Sequence, residues 1–332
     1  MISPLLVADD LTRSFAVRRG LGAMLRGGPR PAVRALNGVT LSIGRGETLA
    51  IVGESGCGKS TLARALVRLI ELDGGQIAFD GADVRDLRGD ALRRYNRRVQ
   101  MVFQDPFGSL NPRMTVGEML TEALQVHRLV APDRRAARVA ELLALVRLPA
   151  DAAGRMAHEF SGGQRQRIAI ARALSVEPEL LIADEIVSAL DVSVQAQILN
   201  LLLDLQDRLG LAMLFVSHDL RVVRHLAHRV AVMYLGRVVE LGTADAIFAA
   251  PAHPYTQALL RAAPGMDPPD PMQPRPTRAA LVGELPSPLA IPPGCPFHPR
   301  CPIAVARCST EVPLTRHGSS GHEAACHLAE LN

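Results

Sequence analysis

The sequence predicts an α/β fold built around a mostly parallel sheet. Short apolar runs typical of buried strands alternate with amphipathic helical segments. The apolar run at residues 48–52 leads into a glycine-rich loop and then into a segment with helical apolar spacing. Polar residues follow directly after other apolar runs, at 184 and 217, where ligands bind in open α/β sheets.

The composition excludes some function classes. The chain has 332 residues, of which 48% are apolar, so it can form a large core. Its 37 basic and 33 acidic side chains give a net charge of only +4, and it has no tryptophan. A nucleic-acid partner is not expected, because such a partner needs a concentrated basic face or a base-stacking surface.

The compartment is predicted from two absences. No uncharged apolar run approaches the ~18–20 residues that span a bilayer. The first residues also lack the features of a secretory signal. We expect a cytoplasmic location, with contact to the membrane that is peripheral or made through partners.

The Arg- and Gly-rich segment 18–31 is expected to be a solvated loop; contact with anionic headgroups or a membrane partner is the alternative.

The glycine-rich loop fits the pattern G-x-x-x-x-G-K-[ST] of a phosphate-binding P-loop. Its residues are Gly53, Glu54, Ser55, Gly56, Cys57, Gly58, Lys59, Ser60 and Thr61. Glycines let successive backbone N–H groups turn toward phosphate oxygens, and the following helix adds its positive N-terminus. Lys59 would contact the β- and γ-phosphates and Ser60 would bind Mg²⁺, so a nucleoside triphosphate is the predicted ligand.

Two adjacent carboxylates follow the apolar run 180–183. Asp184 has the position of a Walker B aspartate, from which it can reach Mg²⁺ directly or through water. Glu185 can polarise the attacking water. The alternative for Glu185 is a surface carboxylate, but the end of a strand places it at the reactive edge of the sheet.

The remaining segments indicate subdomains. Strand patterns before residue 50 predict an antiparallel β subdomain, and residues 105–165 predict an inserted helical subdomain. Ten of the 24 prolines lie in 263–293, which indicates a stiff linker.

The motifs together resemble the ATPase subunits of ABC transporters. The resemblance depends on the P-loop, Gln104, the signature Ser161-Gly162-Gly163-Gln164, Asp184-Glu185, Ser188-Ala189-Leu190-Asp191 and Ser217-His218, in this order and spacing. It covers residues 1–250 and implies a P-loop NTPase fold that binds ATP and Mg²⁺. Two such domains would pack head to tail, with each ATP between the P-loop of one and the signature of the other.

The resemblance also implies roles for single residues. Ser161 and the N–H groups of Gly162 and Gly163 would face the γ-phosphate, with Gln164 completing the signature. Gln104 would contact Mg²⁺ and the attacking water.

Further roles follow in the same way. His218 would donate a hydrogen bond to the γ-phosphate, and Asp191 would touch the opposite subunit. Phe15 is the candidate for stacking on adenine. The residue after the catalytic glutamate is commonly proline in close relatives, whereas Ile186 stands here; we expect a modest loosening of the turn with the carboxylate still in place.

Residues 251–332 resemble the C-terminal extension of oligopeptide and dipeptide permease ATPases. The matching motifs are His253-Pro254-Tyr255-Thr256, Leu285-Pro286-Ser287-Pro288 and the segment 294–302. The implied function is ATP hydrolysis that drives peptide import. The implied partners are a second ATPase subunit, identical or different, two transmembrane permeases and an extracytoplasmic binding protein, which would place the chain at the cytoplasmic face of the membrane.

Three other functions stay open at this point. The same ATPase could serve nickel or another small solute. It could be an ABC ATPase without a transporter, or a subunit that binds ATP and leaves hydrolysis to its partner.

Four cysteines lie close together in the last part of the chain, in 295–326. They are Cys295, Cys301, Cys308 and Cys326, spaced C-x5-C-x6-C-x17-C. Four thiolates can bind zinc or a [4Fe–4S] cluster. The resemblance implies the iron–sulfur cluster; zinc, which prefers tighter pairs, and free thiols are the alternatives.

Overall fold

The computed structural model describes residues 3–17, 32–263, 284–318 and 321–331. The Arg- and Gly-rich segment 18–31 and most of the proline-rich linker, 264–283, lie outside these residues, and so do the predictions made for them. The strands are β1 (Leu6–Ala16), β2 (Ala32–Ile43), β3 (Thr48–Val52), β4 (Gly74–Phe79), β5 (Ala82–Asp83), β6 (Val99–Val102), β7 (Leu180–Asp184), β8 (Ala212–Val216), β9 (Arg229–Tyr234), β10 (Arg237–Thr243), β11 (Arg316–His317) and β12 (Glu323–Ala324). The helices are α1 (Lys59–Leu66), α2 (Gly89–Arg98), α3 (Pro106–Ser109), α4 (Val116–Val126), α5 (Arg135–Leu145), α6 (Gly162–Leu174), α7 (Val192–Leu209), α8 (Leu220–Leu226), α9 (Ala244–Ala249) and α10 (Pro254–Ala262). Short 3-10 helices lie at Pro132–Arg134, Ala150–Gly154, Ala157–Glu159, His298–Arg300 and Ala306–Ser309.

The chain divides into two compact units. The first unit contains residues up to Leu5, Ile43–Thr48 and Phe79–Val216. The second contains Leu6–Ser42, Leu49–Ala78 and the chain from Ser217 onward. The domain boundary predicted at residue 250 stays a prediction. Within the described residues, none of the helices combines the length and apolarity that a membrane crossing needs.

The first unit is built on three parallel strands. β7 pairs in parallel with β6 on one side and β8 on the other, and β7 is buried along its whole length. The register opposes Val102 to Ala183 and Asp184 to Val216, so the carboxyl ends of the three strands lie at one edge. This confirms the α/β fold, and it puts Asp184 at the edge where parallel sheets bind ligands.

Helices α3 to α5 of this unit lie within 105–165, where a helical subdomain is predicted, and α6 begins at its end; the bounds of the subdomain stay a prediction. α4 begins with a capping box, in which Thr115 accepts from the Glu118 amide while the Glu118 side chain accepts from that of Thr115. The apolar faces of α4 and α5 are buried, at Leu120, Leu124 and Leu142 among others. Both helices also pack against α6, whose N-terminus contains the signature.

The second unit contains two sheets. In one, β3 pairs in parallel with β9, and β9, β10, β12 and β11 follow in antiparallel order. In the other, the strands are ordered β2-β1-β4. β12 belongs to the C-terminal extension, and Ala324 lies opposite Glu240 of β10. The extension is therefore joined to the sheet that contains the P-loop strand.

A buried carboxylate anchors the extension. Glu240 is 1% exposed and accepts hydrogen bonds from the backbone of Ala252 (2.7 Å) and His253 (3.0 Å). Nε2 of His322 lies 2.8 Å from the same carboxylate. His253 caps α10 through Nδ1, which accepts from the Tyr255 amide. Complete burial lowers the pKa of His253 to about 4, which keeps the ring neutral and able to accept.

The buried His253 should make folding sensitive to acid. The unfolded chain protonates this ring below its ordinary pKa of about 6.5, whereas the folded chain does so only near 4. The free energy of unfolding should therefore fall by about 3 kcal/mol as the pH drops from 7 to 4. His253→Asn keeps a capping oxygen but does not titrate. Urea unfolding at a series of pH values should show this component in the wild type only; equal falls in both proteins would contradict it.

Candidate active site

The P-loop of the second unit is packed against two backbone carbonyls. Gly53 has φ +150° and Gly58 has φ +108°, both in the region that favours glycine. A Cβ on Gly53 would overlap the carbonyl oxygen of Met233, and one on Gly58 would overlap that of Ala35. The loop is therefore glycine-rich at these points because neighbouring strands leave no room for a side chain.

Lys59 opens helix α1 and is 5% exposed. Its Nζ donates to the carbonyl oxygens of Gly53 (2.8 Å) and Glu54 (3.1 Å), so the ammonium lies inside the curve of the loop. The first turn of α1 contains no acidic residue, which leaves its positive end suited to an anion. Burial raises the pKa of Cys57, so this thiol stays protonated.

The other predicted loop residues differ in exposure. Ser55 and Gly56 are exposed, and Ser60 and Thr61 are half-buried at the start of α1. His218 is also exposed and follows Ser217, whose amide donates to the carbonyl of Ile51 on the P-loop strand (3.1 Å).

Phe15 lies on β1 and is 37% exposed. The guanidinium of Arg13 covers one face of its ring, 4.9 Å from the centroid. Its predicted role as the adenine platform stays a prediction.

The first unit brings two predicted catalytic residues together. Nε2 of Gln104 donates to Oε2 of Glu185 at 3.2 Å. Asp184 precedes Glu185 at the end of β7 and is 2% exposed. Carboxylate and amide oxygens from adjacent strand ends are the ligands that Mg²⁺ prefers, so the donor set of Asp184 and Gln104 suits this ion.

Glu185 has an unusual backbone. Its φ is +49°, which is rare for a residue with a side chain and indicates local strain. Its amide donates to the carbonyl of Val216 (3.0 Å), and its carbonyl accepts from both the amide and the hydroxyl of Ser188 (3.1 and 2.9 Å). Ile186 is 2% exposed. The hydrogen bonds of Glu185 and the burial of Ile186 thus hold the turn after β7. A proline at position 186 would instead have fixed its φ angle.

The signature forms the N-terminus of α6. Ser161 Oγ accepts from the Gln164 amide (3.4 Å), and Gln164 Oε1 accepts from the Ser161 amide (3.0 Å). A hydroxyl that accepts can still donate, so Ser161 keeps its proton for another partner. A Cβ on Gly163 would overlap a methyl of Val194 on α7, which explains why glycine stands there, and Gly162 is half-buried. Asp191 is exposed directly before α7.

The cysteines of the extension give no support to the predicted iron–sulfur cluster. Cys295, Cys308 and Cys326 are buried, and the amide of Cys295 donates to the carbonyl of Cys308 at 2.8 Å. Burial, with a smaller contribution from the other thiols, raises the pKa of Cys295. Within the described part of the chain, no group of three or more His, Cys, Asp or Glu side chains could hold a metal ion. Cys301 and the others are free thiols.

Two contacts at the P-loop were missed by the sequence analysis. Tyr255 Oη accepts from the Glu54 amide (2.9 Å), and the Arg300 guanidinium binds the Glu54 carboxylate (2.7 Å). Both residues lie in motifs of the extension that were noticed only as family markers. Their partner Glu54 is 201 residues from Tyr255 and 246 residues from Arg300 in sequence, and no local pattern indicates such a contact.

Comparison with known protein families gives two matches. Residues 36–188 match the family described as ABC transporter. Residues 239–308 match the oligopeptide/dipeptide transporter, C-terminal region.

Two curated proteins and one solved structure are similar to this chain over most of their own length. A probable peptide ABC transporter ATP-binding protein of Sinorhizobium fredii is 51% identical, covering 99% of this chain and 91% of the relative. The di/tripeptide transport ATP-binding protein DppF of Pseudomonas aeruginosa is 49% identical, covering 98% of both. The dimeric post-hydrolysis structure of the ATP-binding cassette MJ0796, bound to ADP and Pi, has a TM-score of 0.62 at 28% identity, covering 72% of this chain and 98% of that one.

The packing of the P-loop predicts a difference between two of its glycines. Gly53→Ala forces a methyl group onto the Met233 carbonyl and should cost about 3 kcal/mol of stability. Gly56→Ala meets nothing within 4 Å but keeps φ +81°, so it should cost about 1 kcal/mol. Denaturant unfolding of both variants measures this; equal costs would show that the carbonyl contact does not constrain the loop.

Proposed function

Because the chain belongs to the ATP-binding proteins of peptide ABC transporters, we propose that it hydrolyses ATP to energise uptake of oligopeptides or dipeptides through membrane permeases. The hydrogen bond between Gln104 and Glu185 at the end of a buried parallel strand carries the catalytic part of this proposal. The match of residues 239–308 to the peptide-transporter extension, and the names of the relatives, support the peptide part.

The P-loop would bind the triphosphate. Backbone N–H groups of the loop other than that of Glu54, which binds Tyr255, would bind the anion together with the N-terminus of α1. Lys59 would exchange its contacts with the Gly53 and Glu54 carbonyls for phosphate oxygens. Ser60, Gln104 and Asp184 would hold Mg²⁺, which when bound neutralises charge on the β- and γ-phosphates.

Glu185 would position and activate the attacking water. Its carboxylate already accepts from the side-chain amide of Gln104, which restricts its orientation. The backbone of Glu185 is strained at the strand end and is held there by hydrogen bonds to Val216 and Ser188. Catalysis here is mainly positioning and charge stabilisation, as expected for phosphoryl transfer.

The working unit proposed here is a pair of ATPase subunits, identical or different. Ser161, with the N–H groups at the start of α6, would contact the γ-phosphate held by the opposite chain, where Asp191 would also make contact. His218 would donate to the γ-phosphate. The exposed, capped position of Ser161 and the dimeric form of the MJ0796 cassette support this arrangement.

The remaining proposals concern assembly. Two transmembrane permeases would transmit ATP-driven closure, and an extracytoplasmic binding protein would select the peptide. The chain would then lie peripherally at the cytoplasmic face of the membrane.

The iron–sulfur cluster stays a prediction from the family resemblance at the four cysteines, without support from the described residues. Protein purified without oxygen should contain iron and acid-labile sulfide if the cluster forms. Absence of both, together with no visible absorption, would reject it.

Glu185→Gln removes the base but keeps the shape of the side chain. It should bind ATP with wild-type affinity and lower kcat by about a hundredfold or more. Glu177→Gln is a matched control, because Glu177 is also a glutamate with positive φ (+55°) but pairs with surface arginines. Steady-state phosphate release and nucleotide titration test both variants. Wild-type turnover in Glu185→Gln would exclude this residue as the catalytic base.

A further inference from the structure

The C-terminal extension reaches the nucleotide-binding loop through an ion pair. Nη1 and Nη2 of Arg300 donate to the two carboxylate oxygens of Glu54, at 2.7 and 3.0 Å. The side chain of Arg300 is only 4% exposed and that of Glu54 is 26% exposed. This is the bidentate geometry in which arginine binds carboxylates most specifically, and it is shielded from solvent more than an ordinary surface pair.

Packing fixes Arg300 in this position. Arg300 is the last residue of the 3-10 helix His298–Arg300, and this helix directly follows the buried Phe297. The Phe297 ring lies 5.4 Å from that of Tyr234 and 5.5 Å from that of Tyr255, measured between centroids. The Tyr234 hydroxyl also lies 3.4 Å from Nη1 of Arg300. The guanidinium is therefore directed at Glu54 by a rigid aromatic cluster.

A second contact fixes the backbone of the same loop residue. The amide of Glu54 donates to Oη of Tyr255 at 2.9 Å. Tyr255 is fully buried, and it stands at the start of α10 under the cap of His253. Glu54 is thus held by its side chain and by its amide, from two separate parts of the chain beyond residue 250.

The charge of Glu54 is the reason that this contact matters for ATP. Glu54 follows Gly53 in the loop that receives the phosphates, and an unpaired carboxylate there would repel a polyanion. The hydrogen bonds that Arg300 donates to Glu54 raise the pKa of Arg300, so the guanidinium stays charged. The ion pair as a whole is neutral. The phosphates would therefore interact mainly with the positive charge of Lys59 and with the N–H dipoles of the backbone.

We propose that Arg300 is a positioning residue for ATP binding, which neutralises Glu54 and holds it back from the phosphate site. This inference rests on the proposed function. It makes the cysteine-bearing extension a working part of the nucleotide site. The competing explanation is that the ion pair only attaches the extension to the rest of its unit.

The test is the affinity of the full-length chain for Mg–ATP, measured by titration calorimetry, with KM and kcat measured in parallel. Arg300→Gln should raise Kd and KM about tenfold, the effect of one unneutralised charge near the phosphates, with kcat within about twofold. Arg300→Lys keeps the charge and should recover most of the affinity. Arg307→Gln is the control, since it removes an arginine of the same extension whose partner is the exposed Glu311.

The double variant Arg300→Gln/Glu54→Gln separates the two explanations. If repulsion by Glu54 causes the loss, removing its charge should restore affinity to within about threefold of wild type. A merely structural role predicts no rescue. Wild-type affinity in Arg300→Gln, or a loss that Glu54→Gln does not repair, would overturn the proposal. If the wild-type chain itself binds no Mg–ATP, the proposed function fails first, and the two failures are thereby distinguished.

Discussion

In the proposed function the loop at residues 53–61 presents backbone N–H groups to a polyanion, and the tight curve that this requires determines what packs around it. The loop can curve tightly only where no side chain intervenes, so Gly53 lies against the Met233 carbonyl. The partner strand β9, which supplies Met233, runs parallel to β3 and continues to Tyr234 beside the extension. The sheet, the loop and the extension of this unit therefore pack together around the proposed phosphate site.

The edge of the first unit that contains the proposed catalytic base has a different requirement. A carboxylate at the end of a buried strand has to keep one orientation. Glu185 does so with a strained backbone, held by hydrogen bonds to Val216 and Ser188 and by its side-chain contact with Gln104. Ile186 stands where close relatives commonly have proline, and its apolar side chain is buried. Packing of this side chain thus takes the place of the proline ring, which would fix φ.

Local patterns predicted the elements well where the signal itself is local. The strand at 48–52 has the bounds of its apolar run, and β8 ends at Val216, directly before the polar residue at 217. β9 and β10 were not predicted, although the apolar run 230–234 carries the signal. The contacts of Glu54 with Tyr255 and Arg300 could not be predicted from local patterns, because 201 and 246 residues separate the partners. The family resemblance at the cysteines predicted an iron–sulfur cluster, for which the described residues give no support.

The most direct test of the whole interpretation is a structure of the Glu185→Gln protein with Mg–ATP, together with its partner ATPase subunit. The triphosphate should lie in the loop at 53–61, with Ser161 of the opposite subunit within hydrogen-bond distance of the γ-phosphate. ATP bound away from Lys59, or a closed pair in which Ser161 faces solvent, would contradict it.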